Sequence, residues 1–203
     1  MNLKTRWVRL MADFGLPRRL ETYNALIDAY SEPHRNYHST GHLEMVLQQL
    51  DNVEQLAMNK HEIELALWFH DAVYEPFSSS NELHSANWAY KFLQENRIET
   101  NVIERVNRLI MATSHMGEAN SHDEKLIVDI DLSILGQSEK FYECFAAGVR
   151  MEYKRVPRLI YRWKRKKLLR SFLAQNRIYN FKVMRDAFEN QARDNIQSEI
   201  ANL

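Results

Sequence analysis

Four side chains in this 203-residue chain have the types and spacing to share one metal ion: His42, His70, Asp71 and Asp131. Two imidazoles and two carboxylates make a mixed nitrogen–oxygen shell. Such a shell suits iron, manganese, zinc, nickel or cobalt. Magnesium prefers oxygen ligands and keeps its waters, so a histidine pair fits it less well. Four protein ligands leave positions on a six-coordinate ion for water and substrate. A water of lowered pKa is then a nucleophile at neutral pH, and the cation polarises a phosphoryl oxygen.

The stretch ELALWFHDAVYEP, Glu64 to Pro76, shows why these residues stand out. An apolar helical run meets two adjacent ionisable groups and then resumes. Burying such groups costs free energy unless a partner satisfies them. Residues three, four and seven apart share a helix face, so His70 sits over Ile63, Ala66 and Leu67, and Asp71 over Leu67 and Trp68. In LIVDIDLSILG, Asp129 has Lys125 and Ser133 as neighbours and is expected to face solvent, whereas Asp131 has Ile127 and Leu135 and is expected to face inward. His42 lies beside Leu43 and four residues before Val46, at the start of an apolar stripe. Taken singly, an inward histidine is commonly a hydrogen-bonded core residue and an inward aspartate commonly caps a neighbouring helix. Spacing alone leaves both readings open.

The elements that must carry these residues are helices. Hydrophobic residues make up 45% of the chain, with only 5 Gly and 4 Pro, a balance that favours an ordered, all-α protein. The periodicity predicts helices over about 5–14, 18–30, 40–53, 61–71, 81–95, 101–114 and 124–135, with two or three more beyond, Pro157 falling in a first turn. Leu43, Val46, Leu47, Leu50 and Val53 form the stripe of the third. Neither repeats nor a long linker interrupt the pattern, so a single all-α domain over 1–203 is expected, with its core at about 30–155 and a basic helical segment at about 150–203.

Cys144 is the one cysteine and cannot form an internal disulfide. Lys4, Arg6 and Arg9 interrupt what would be a signal's apolar stretch, and no apolar run is long enough to cross a bilayer. A cytoplasmic protein with no membrane partner is the expectation. The formal net charge is zero but uneven: residues 1–149 carry 13 basic against 22 acidic side chains, and residues 150–203 carry 14 against 5. Arg150 to Arg170 holds ten basic residues and one acid. Such a block either attracts phosphates or is the solvated face of a helix. Its aromatics, Tyr153, Tyr161 and Trp163, are expected in the core, which makes nucleic acid the weakest partner.

At these residues the chain resembles the HD superfamily of metal-dependent phosphohydrolases, and within it the bacterial branch of predicted metal-dependent HD phosphohydrolases. The resemblance lies in YHSTGHLEMVL (Tyr37 to Leu47), ALWFHDAVYEP (Ala66 to Pro76), NELHSANWA (Asn81 to Ala89), ATSH (Ala112 to His115), DIDLSILG (Asp129 to Gly136) and VRMEY (Val149 to Tyr153), with a weaker echo in QARDNIQSEI (Gln191 to Ile200).

The resemblance implies an HD-type helical bundle whose metal ligands are His42, His70, Asp71 and Asp131. His38 is the alternative first ligand, or a group that contacts substrate. Asp71 would hold both the metal and a catalytic water, His38 or His115 would manage protons, and Glu82 would line the pocket. Arg150 matches phosphate oxygens in a bidentate way, or else pairs with an acid such as Glu152; Lys154 and Arg165 are further candidates. Trp163, in YRWKR, departs from the Gly–Arg pair expected of the family. The implied activity is hydrolysis of a phosphoester or pyrophosphate bond in a small phosphorylated substrate, a nucleotide among them. The alternative is a regulatory module that binds metal or nucleotide without turnover. The pattern specifies neither the substrate nor the oligomeric state.

Overall fold

A computed structural model of the chain describes residues 2–114 and 119–203. Every regular element among them is helical: α1 (Leu3–Asp13), α2 (Leu20–Tyr30), α3 (Thr40–Asn52), α4 (Lys60–Phe69), α5 (Asn81–Glu95), α6 (Thr100–Ala112), α7 (His122–Asp131), α8 (Glu139–Glu152), α9 (Arg158–Leu173), the short α10 (Lys182–Met184) and α11 (Asn190–Asn202). The all-α expectation holds. Among the described residues no helix is long and apolar enough to cross a membrane.

Packing groups the chain into two compact units, Met1–Val128 and Asp129–Leu203, the division falling within α7. In the first unit α4 lies at the centre. Its residues from Glu62 to Phe69 are all buried, the pattern of a helix surrounded by others, and it packs on α1, α3, α5 and α6. Trp7 meets Trp68 edge to face with ring centroids 5.3 Å apart. The stripe expected on α3, Leu43 to Val53, is buried throughout. Two glutamates on α4 are buried with their charges answered: Glu64 accepts from Arg6 Nε at 2.8 Å, while Arg6 also grips Asp51 at 2.6 and 2.8 Å. Glu62 takes a two-pronged contact from Arg105.

The second unit is built from a 3-10 turn, Leu132–Gly136, followed by α8, α9 and the C-terminal helices. Gly136 approaches the backbone of Phe188 so closely that an added Cβ would stand 2.5 Å from Phe188 Cβ. Asn195 donates to the carbonyls of Leu135 and Gln137 at 2.8 Å each, and the Tyr179 hydroxyl donates to the Leu132 carbonyl at 3.0 Å.

Three expectations are corrected. The helix predicted to reach Asp71 ends at Phe69, with His70 as its cap and Asp71 in the following turn; the Ala72 amide bonds back to the Phe69 carbonyl and tightens the end. Asp129 does not face solvent but is fully buried. Its oxygens accept from the backbone amides of Asn180 and Phe181 at 2.8 Å and from the Asn180 side chain at 2.9 Å. Trp163 is not core: it is 64% exposed, whereas Tyr161 is buried.

Candidate functional site

The first unit brings three of the expected ligands to one point. His42, in the first turn of α3, and His70, at the end of α4, are both buried. Their Nε2 atoms stand 3.0 Å apart, and Asp71 Oδ2 lies 3.3 Å from the first and 3.1 Å from the second. Three atoms that carry lone pairs face one another here, and only a cation between them, proton or metal, makes that arrangement favourable.

The protonation pattern of His70 prepares it for this. Its Nδ1 lies 2.8 Å from the Leu67 carbonyl oxygen. A carbonyl only accepts, so Nδ1 carries a proton and donates, and Nε2 faces the other two atoms, to which it donates when the ring is charged and offers a lone pair when it is neutral. Burial alone would raise the Asp71 pKa. The charges of His70 and His38, with hydrogen bonds from His42 and His70, outweigh burial and hold the carboxyl well below its usual range.

The spacing fits a transition metal. With bonds of about 2.1 Å, two ligands at a right angle stand about 3.0 Å apart and two at the tetrahedral angle about 3.4 Å apart. The three separations, 3.0, 3.1 and 3.3 Å, fall in that interval. Two histidines and one carboxylate on one side of an ion also leave further positions open.

His38 belongs to the same corner. Its ring stacks on Tyr74 with centroids 4.1 Å apart and meets the His42 ring at 5.9 Å, and its charge is felt at Asp71. The turn that carries these groups is held by residues the sequence pattern did not single out. Arg35, whose side chain is 1% exposed, donates from Nη1 to the carbonyls of Asp71 and His38 at 2.6 and 3.2 Å and from Nη2 to the Ala72 carbonyl at 3.0 Å. Its Nε donates to Glu32, and its guanidinium lies over the rings of Tyr30 and Tyr74. The Asp71 amide donates to the Tyr30 hydroxyl at 3.3 Å. Beyond the turn, Ser85 and Asn81 of α5 accept from the amides of Val73 and Glu75. An arginine in a loop between two histidines, with an acid three residues before it, is the sequence signal that marks Arg35.

Asp131 closes α7 and is half-buried. Glu82 is in the first turn of α5, where a negative charge complements the helix terminus. His115 lies outside the described residues. In the second unit, Arg150 donates to the carbonyls of Tyr153 and Val156 and lies over Tyr161, fastening the end of α8. Arg165 is buried in a two-pronged pair with Glu199 at 2.8 and 3.0 Å, and Glu199 also accepts from Tyr142. Lys154 is exposed in the turn after α8. Comparison with family models, curated proteins and solved structures finds no match; the functional reading rests on the residues themselves.

Proposed function

We propose that the chain is a metal-dependent phosphohydrolase that cleaves a phosphoester or pyrophosphate bond in a small phosphorylated substrate. The observation that supports the reading is the convergence of His42 Nε2, His70 Nε2 and Asp71 Oδ2 within 3.3 Å of one another in a buried corner. These three side chains would hold a divalent transition metal. The resemblance noted above adds Asp131 as a further ligand.

A cation held there supplies a nucleophile at neutral pH from water and a Lewis acid for a phosphoryl oxygen. The protein's own part is to present lone pairs. The Leu67 carbonyl keeps the His70 proton on Nδ1, and Arg35 fixes the backbone on which Asp71 and His38 sit. His38, stacked on Tyr74 beside this corner, is the group placed to move a proton. Arg150 and Arg165 leave the set proposed to bind phosphate, because carbonyls and Glu199 occupy their donors. Glu82, His115 and Lys154 stay in the reading on the resemblance alone.

The deciding experiment is to measure metal content of the purified chain and to screen phosphomonoesters, cyclic nucleotides and nucleoside triphosphates. Asp71→Ala should lose both metal and turnover; if it keeps both, the assignment is wrong. Asp131→Ala tests the fourth ligand separately. Stoichiometric nucleotide binding without product after long incubation would replace the enzyme with a binding module.

A further inference from the structure

The outward face of α9 is a feature the metal site does not use. This helix carries seven basic residues and no acid. Its inward face is well occupied: Tyr161, Arg165, Leu169 and Phe172 are buried, Arg165 on Glu199 of α11 and against the Phe145 ring of α8. On the opposite side Leu159, Ile160 and Trp163 are 78%, 48% and 64% exposed. Leu159 and Trp163 are four residues apart and Ile160 precedes Trp163 by three, so the three form one apolar cluster centred on Trp163. Lys167 follows Trp163 by four residues and Arg170 by seven, and Lys164 follows Ile160 by four, all three exposed. An apolar cluster is thus bordered by cations on a helix too short to span a bilayer.

We propose that this face docks the protein on an anionic lipid bilayer surface, with Leu159, Ile160 and Trp163 entering the headgroup region and the flanking lysines and arginines meeting acidic lipids. Exposed aliphatic and indole side chains ringed by Lys and Arg are the composition that such interfaces favour. Charge complementarity selects the partner, since basic clusters are drawn to acidic lipid within a Debye length. Single-stranded nucleic acid is the poorer fit. Leu159 and Ile160 have no ring on which a base could stack, and the Lys167 ammonium already lies 5.9 Å from the Trp163 ring centre. The absence of a membrane-crossing helix does not bear on this, because docking from one side needs only a surface.

The test uses the full chain and vesicles of phosphatidylcholine with or without phosphatidylserine. Co-sedimentation is expected only with the acidic vesicles. Binding should weaken strongly between roughly 0.1 M and roughly 0.5 M salt, as screening shortens. Trp163→Ala, at an exposed position, should weaken it by at least about tenfold with an unchanged thermal melt, and the pair Lys164→Glu with Lys167→Glu should abolish it. Tryptophan emission should shift to the blue on vesicle addition in the natural chain and not in Trp163→Phe. Failure to bind acidic vesicles overturns the proposal. So does binding that Trp163→Ala leaves intact, or tighter binding to a single-stranded oligonucleotide than to the vesicles. None of these results depends on the metal site.

Discussion

Asp71 in the first unit and Asp129 in the second are both shielded aspartates near helix ends, yet they titrate in opposite directions. Burial pushes both upward. Around Asp71 the charges of two histidines, with hydrogen bonds from His42 and His70, overturn that push. Around Asp129 the donors of Asn180 and Phe181 reduce it without cancelling it, and its pKa stays raised. The partners explain the difference. Peptide N–H groups are permanent donors, and a carboxylate that accepts from them closes a clasp with nothing left to exchange. Imidazole nitrogens hold protons that can leave, and a carboxylate facing two of them is a place where a metal can substitute. Asp123 in the first unit is clasped by backbone donors too, accepting from the amides of Met58 and Asn59 at 2.9 Å. Burial of an acid therefore says little about function until its donors are named.

The largest effect expected is structural. Arg165→Ala leaves Glu199, whose side chain is only 10% exposed, without its main partner, and should cost about 3–5 kcal/mol in urea unfolding; unchanged metal affinity in the same variant would sharpen the contrast between clasp and site. Next, Asp71→Asn should lower affinity for Mn2+ or Zn2+ by more than about 100-fold, or about 2.7 kcal/mol. Calorimetric titration reads this directly, and an unaltered affinity would break the contrast. Third, Asp129→Asn puts an NH2 group against backbone donors and should cost about 1–3 kcal/mol of stability, with metal content unchanged. The smallest effect is in pH dependence. A carboxyl whose folded pKa is raised binds its proton more readily in the folded state. Relative to Asp129→Asn, the natural chain should therefore gain stability as pH falls from the raised folded value towards about 3.9. Urea midpoints across that range check the sign.

The helical plan was legible because apolar spacing reports burial along one element. α5 begins and ends where the pattern places it, at Asn81 and Glu95, and the α3 stripe is buried as expected. The same logic found His42, His70 and Asp71. It failed at Asp129, because facing was judged from Lys125 and Ser133 on its own helix, while the groups that cover it come from residues 180–181. It failed at Trp163 for the converse reason: an aromatic residue in a helix need not lie on the packed side, which Tyr161 and Arg165 occupy. The burial of Arg35 and Arg6 escaped notice, and Arg165 was expected at phosphate instead of Glu199, because a cation's burial depends on carbonyls and carboxylates far away in sequence, and no local periodicity records them.

The bond from His70 Nδ1 to the Leu67 carbonyl ties the proposed ligand to the final turn of α4. Should that turn fray, the ring would be freed to rotate and the coordinating lone pair would swing off target in the same motion. With the proposed metal bound, cation release and unwinding of the helix tip would be one cooperative event, and the dwell time of the ion would be set by how often the last few peptide hydrogen bonds open.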